Sequence, residues 1–147
     1  MSLKEQLNDA MKQAMKAHDT LRLSVVRMIR STIQNREIDQ KRELDDQGVI
    51  EVISTLVKQR RESIRLYQEG NRPDLVEKEE SELAILIGFL PAQLDAAEIS
   101  ELVAKVIRET GVVSIKDMGR IMKALTPLTA GRADGKMVSD SVRQQLS

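Results

Sequence analysis

Three groups of residues in this chain have the type and spacing to do chemistry. The first is Gly131-Arg132-Ala133-Asp134-Gly135-Lys136, which comes near to a phosphate-binding loop. Such a loop requires G-x-x-x-x-G-K-[ST] immediately after a strand. Here the two glycines stand one place too close, Met137 replaces the hydroxyl residue that would hold Mg²⁺, and the preceding pattern is helical. ATP binding through this loop is therefore not expected. A softer anion site survives. If Asp134 caps the last helix, the free amides of its first turn lie beside Arg132 and Lys136, and helix starts attract anions. Two cations that merely solubilise a loop fit the same residues.

The second group is basic. Lys116, Arg120 and Lys123 follow i, i+4, i+7 and so share one helical face, with Ile115, Met118, Ile121, Met122 and Leu125 on the opposite, core-facing side. Residues 111–147 carry Lys116, Arg120, Lys123, Arg132, Lys136 and Arg143 against Asp117, Asp134 and Asp140. A stripe of this kind can follow a phosphate backbone, although a solvated surface helix has the same look. No aromatic residue accompanies it. Single-stranded nucleic acid is usually held on stacked rings, so a folded RNA read by backbone and shape is the better target.

The third group is acidic: Glu77, Glu79, Glu80 and Glu82. Glu79 and Glu82 share a face, but no histidine joins them. Interhelical salt bridges to Lys58, Arg61 and Arg65 on the preceding antiparallel helix are expected instead of a metal site. Lys58-Gln59-Arg60-Arg61 reads as surface. His18, the one histidine, stands at a helix end with no second ligand or triad partner. No catalytic residue, metal site or cofactor is predicted.

The elements that carry these groups are helical. The chain is 41% hydrophobic, enough for a core, and Leu, Ile, Val, Met and Ala supply nearly all of it; Tyr67 and Phe89 are the aromatics. Aliphatic helix formers without aromatic clusters indicate an all-α protein. Basic and acidic residues balance at 23 each, which excludes a strongly basic coat or an acidic tail. With no cysteine, disulfides and thiolate chemistry are excluded. The N-terminus lacks an apolar h-region and Leu83–Leu94 is too short for a bilayer, so a cytoplasmic protein with no membrane attachment is expected.

Periodicity predicts helices over Leu3–Ala17, Thr20 to about Ile38, a stretch from Asp45 or Asp46 to Glu69, and a fourth to Phe89. Their buried stripes run through Leu3, Leu7, Ala10, Met11, Ala14 and Met15, then Leu21, Val25, Met28, Ile29 and Ile33. In the third helix they are Ile50, Ile53, Leu56, Val57, Ile64 and Tyr67. A polar run, Asp39–Gln47, separates the second and third. Gly70 suits a left-handed helix stop and Pro73 a restart. After Pro91, Asp95 and Glu98 form a capping box with a Leu94–Ile99 staple, and that helix stops at Gly111. A short helix then ends near Leu125, before Pro127, and a last one follows Asp134 to Leu146. The expected organisation is a four-helix N-terminal part, residues 1–90, followed by a small three-helix C-terminal part, residues 91–147.

The blocks Arg72-x-Asp74-Leu75-Val76-x-Lys78-Glu79-x-x-Glu82-Leu83 and Phe89-Leu90-Pro91-x-Gln93-Leu94 resemble the GatB/YqeY family. So do Asp117-Met118-Gly119-Arg120-Ile121-Met122 and Gly131 to Val138, while Leu23 to Arg30 is similar to the start of free-standing YqeY-like proteins. The likeness covers essentially the whole chain. It implies the two helical parts that form the tail of GatB, a subunit of the tRNA-dependent amidotransferase, where the tail contacts the outer body of the tRNA. Amidotransferase chemistry, a carbon–nitrogen ligation with glutamine as amido donor, belongs to other domains of that enzyme. Ligase activity would thus attach to this chain by family name only. The resemblance implies a bacterial translation accessory that binds tRNA or structured RNA, or an adaptor for an amidotransferase or aminoacyl-tRNA synthetase. Only the Gly131–Lys136 block and the Lys116–Lys123 stripe match well enough to carry RNA contact over.

Overall fold

Ser2 begins α1 (Leu3–Lys16): its hydroxyl accepts the Glu5 amide at 3.1 Å, satisfying one of the donors that a helix start leaves open. The computed structural model describes residues 1–146, and among these every regular element is helical. α2 (Thr20–Gln40) starts at the Asp19 side chain, α3 (Asp46–Glu69) at Asp45, and α4 (Pro73–Gly88) with Pro73 in its first turn. α5 (Ala96–Thr110) carries the full capping box: Asp95 Oδ1 accepts from Glu98 N at 2.7 Å and Glu98 Oε1 from Asp95 N at 3.2 Å. A 3-10 turn (Ile115–Asp117) leads into α6 (Met118–Thr129), and α7 (Gly135–Leu146) follows.

Two compact units result, one of residues 1–90 and one from Pro91 onward. In the first, α3 lies along α4, α1 along α2, and α2 touches both α3 and α4. Its core is aliphatic. Val26, Ile29, Val49, Val52, Ile53 and Leu86 have no exposed surface, and Phe89 is buried at their edge with the Arg22 guanidinium 5.3 Å from its ring centroid. In the second unit α5 packs on α6 and α7, and Ile99, Val103, Ile121, Leu125, Val138 and Val142 close the core.

Departures from the sequence expectation have local causes. α2 runs two residues past Ile38 and ends at Lys41, whose φ of 55° is left-handed. The polar run that follows is not all surface, because Leu44 is buried while its amide donates to Glu37 Oε2 at 2.7 Å. After α3 the left-handed residue is Asn71 (φ 55°), not Gly70 (φ −79°). Gly70 still donates into the helix, to Leu66 O at 2.9 Å, so the reversal falls one residue later, on a type that tolerates it. Met15, placed in the core by periodicity, is 49% exposed, since α1 ends one residue after it. α6 does not stop before Pro127 but contains it. A proline near the end of a helix costs the Lys123 carbonyl its donor, and the hydroxyls of Thr126 and Thr129 bond back to Met122 O and Leu125 O at 2.7 and 3.1 Å.

Lys4 Nζ and Glu37 Oε2 meet at 2.6 Å and tie the start of α1 to the end of α2. The Lys4 ammonium and then the Leu44 amide hold the Glu37 carboxyl below the ordinary carboxylate range. A depressed folded-state pKa stabilises above the unfolded value and is lost as pH falls through the folded one. Urea midpoints measured from pH 7 downward are expected to fall less steeply for Glu37→Gln than for the parent across the acidic carboxylate range. Leu86→Ala, which opens a cavity at a fully buried site, is expected to cost about 2–5 kcal/mol in the same measurement.

Candidate nucleic-acid interface

Arg120 and Lys123 lie on α6 with side chains exposed, on the side away from the buried Ile121, Leu125 and Thr129. At 100° per residue they sit roughly 60° apart. Lys116 does not share their helix. It occupies the preceding 3-10 turn, where its amide donates to Ser114 Oγ at 3.2 Å. Such a turn advances about 120° per residue, not 100°, so Lys116 is rotated by some tens of degrees from the i, i+4 position, and it is exposed. The three cations make no ion pair among the described residues. Ile115, assigned to the core by periodicity, is 46% exposed, for the same change of pitch.

The other three basic residues are not equivalent to them. Arg132 is half-buried and turned to its own chain: Nε donates to Ala92 O at 3.2 Å, while its carbonyl accepts the Leu94 amide at 2.8 Å. Gln93 completes the stitch, with Nε2 donating to Gly131 O at 2.7 Å and Pro91 O at 3.0 Å. Sequence reading missed this clamp. Its signal was the occurrence of Pro91-x-Gln93 and Gly131-Arg132 as paired family blocks, with nothing in spacing to join them. Lys136 is exposed in the first turn of α7, and its amide donates to Asp134 Oδ1 at 3.2 Å. The helix start therefore already carries a carboxylate, which competes with any incoming anion. Arg143 lies two turns on and faces the same outward side, but its Nη1 is 3.1 Å from Asp140 Oδ1. That exposed pair is worth roughly 0–1 kcal/mol and opens readily.

The acidic cluster of α4 meets a cation other than those expected. Arg60, read as surface, reaches Glu82 at 2.9 Å and Glu79 at 3.4 Å, with all three side chains less than a fifth exposed. Arg65 instead pairs along its own helix with Glu62 and Glu69. No group of three or more His, Asp or Glu side chains among the described residues is arranged to hold a metal. His18 is exposed and supplies the left-handed residue (φ 56°) after α1, directly before the Asp19 cap of α2.

The whole set of blocks matches a known family. Residues 4–146 fit the model of the Yqey-like proteins, and the chain belongs to that family. It is 34% identical over 147 residues to the protein named altered inheritance of mitochondria protein 41, mitochondrial, of Lachancea thermotolerans, covering 95% of this chain and 79% of that one. The protein of the same name from Vanderwaltozyma polyspora is 31% identical, with 92% of this chain and 77% of the relative covered. That of Kluyveromyces lactis is 40% identical over 103 residues, 69% of this chain and 55% of its own length. These relatives are yeast proteins with mitochondrial names, which overturns the expectation of a bacterial, cytoplasmic protein. The physical reason is plain: a missing apolar segment excludes a secretory h-region, but transit peptides are amphipathic and leave no such mark. No helix among the described residues is long and apolar enough to cross a membrane.

The clamp and the outward cations should separate in a stability measurement. Arg132→Ala and Gln93→Ala are each expected to lower unfolding free energy by about 1 kcal/mol, through lost backbone-directed hydrogen bonds. Lys123→Ala, at an exposed side chain with no ion pair among the described residues, is expected to stay within about 0.5 kcal/mol of the parent in urea denaturation.

Proposed function

We propose that this chain is a non-catalytic accessory module that binds tRNA or another structured RNA by backbone and shape, through the outward face of α6 and the turn before it. The observation that carries the reading is that Lys116, Arg120 and Lys123 are exposed, the last two on one side of α6, with no carboxylate bound to any of them among the described residues. Lys136 and, once released by Asp140, Arg143 would extend the footprint along α7; Arg132 would serve it indirectly, by holding the loop in shape. The lack of aromatic side chains in the second unit favours phosphate and sugar contacts over base stacking. The resemblance to the GatB tail supports the same ligand, and with it a division into a four-helix and a three-helix domain that fold independently. Carbon–nitrogen ligase chemistry would then reside in a partner.

A protein partner is the second reading, and one observation favours it. Val113 is 87% exposed and Ile115 46%, immediately before the basic face. Apolar side chains of this kind suit an adaptor that docks on an amidotransferase or an aminoacyl-tRNA synthetase.

Binding of the full chain to total tRNA, followed by gel shift at two salt concentrations, tests the first reading. The triple variant Lys116→Ala/Arg120→Ala/Lys123→Ala is expected to weaken binding at least about tenfold and to flatten the salt dependence, by nearly one unit of log–log slope per lost phosphate contact. Unchanged affinity in that variant, or no binding by the parent, removes the RNA reading.

A further inference from the structure

Two arginines without an ion pair among the described residues, Arg27 and Arg30, line a groove between α1 and α2, along with Lys4 and Glu37. The two helices run antiparallel, as the pairs Lys4–Glu37 and Met11–Arg30 require. Arg27, Arg30 and Gln34 follow i, i+3, i+7 on α2 and face the groove, and Lys4 and Asn8 line it from α1. Leu7 and Ile33 form its floor, and its volume is about 510 Å³, within the range of small-molecule sites.

The charges in the groove are unequal in their pairing. Lys4 is neutralised by Glu37 at 2.6 Å. Arg30 Nη1 meets the thioether of Met11 at 2.8 Å, a weak acceptor with no charge. Arg27 is exposed and has no partner among the described residues. Two guanidinium groups on one helical face therefore lack a counter-anion, beside the neutral amide donors and acceptors of Asn8 and Gln34.

We infer that this groove binds a small phosphorylated, hydroxyl-rich molecule of the sugar-phosphate class. A dianionic phosphate matches the charge of the two free arginines, whose planar forks suit its oxygens. Asn8 and Gln34 can each give and take hydrogen bonds, as a hydroxylated body needs. No aromatic ring lines the groove, so a nucleobase finds no stacking surface there. The groove is a crease on the surface where two helices pack, and its volume of about 510 Å³ takes a small molecule and excludes a nucleic-acid duplex. The site is independent of the cations on α6.

Isothermal titration of the full chain at low ionic strength, with ribose 5-phosphate, inorganic phosphate and ribose as probes, tests the inference. Ribose 5-phosphate is expected to bind saturably and more tightly than inorganic phosphate, and ribose not to bind. Arg27→Gln and Arg30→Gln, both exposed and outside the core, should each weaken binding by about tenfold with helix content unchanged. Glu37→Gln should tighten binding, because it releases the Lys4 ammonium while its carbonyl oxygen can still accept from Leu44; damage to the fold would weaken it instead. The inference is overturned by an absence of saturable heat, by equal affinity for inorganic phosphate, or by arginine variants that bind like the parent. It also falls if Arg27→Gln weakens tRNA binding while ribose 5-phosphate gives no signal, since the groove would then be an RNA contact.

Discussion

Arg60 enters the seam between α3 and α4 and meets two carboxylates there, Glu82 and Glu79, while its Nη2 reaches back to the sulfur of Met28 on α2 at 2.9 Å. Three helices thus converge on one cation. Removing such a charge from water is costly, and the loss is offset only when opposite charges are placed close by. Glu79 and Glu82 stand one turn apart, so a slip of α4 along α3 by one turn would leave Arg60 with one carboxylate in place of two. That penalty helps hold the register in which Leu86 and Phe89 are presented to Val26, Ile29 and Ile53. Aliphatic side chains alone would tolerate several registers, because Val, Ile and Leu are close in shape; the half-buried ion cluster discriminates among them.

Charge elsewhere is distributed with similar economy. The 23 basic and 23 acidic residues cancel in sum, but the pairing is uneven along the chain. Glu62, Arg65 and Glu69 satisfy one another on α3, and Arg72 closes on Asp74 at the start of α4. The outward side of α6 and the α1–α2 groove keep cations without counter-charges. Both proposed ligands are anions for this reason, and each is matched to its site by shape: an open helix face for an extended backbone, a bounded groove for a compact phosphate.

Helix identity was legible in the sequence because caps and stripes agree locally. Asp19, Asp45 and Asp95 each open a helix as read, and α3 ends at Glu69 where the turn residues begin. What escaped depended on tertiary contacts or on single residues without periodic support. Leu44 is one apolar side chain in a polar run, so no pattern marks it as core. Arg60 was read as surface, since spacing on α3 alone cannot tell that it reaches Glu79 and Glu82 on α4. In the candidate interface, Arg120 and Lys123 could be placed on one side by period alone. The position of Lys116 could not, because the change from 3-10 to α pitch at Met118 has no distinct sequence mark. Arg132 was counted as a ligand-facing cation, yet its partner, the Ala92 carbonyl, lies 40 residues away in sequence.

Proline inside α6 has an effect on how the end of that helix is held. Pro127 deletes the amide that would reach the Lys123 carbonyl, while the hydroxyls of Thr126 and Thr129 add bonds to the neighbouring carbonyls of Met122 and Leu125. The last turn is thus held by one amide rung fewer, and by Thr129, which is buried and bonded to the Leu125 carbonyl. Beyond Ala130, Gly131 and Arg132 are bonded to Gln93, Leu94 and Ala92. Lys123 therefore presents a backbone carbonyl that lacks its i+4 amide beside its own ammonium, a feature that neither Lys116 nor Arg120 shares.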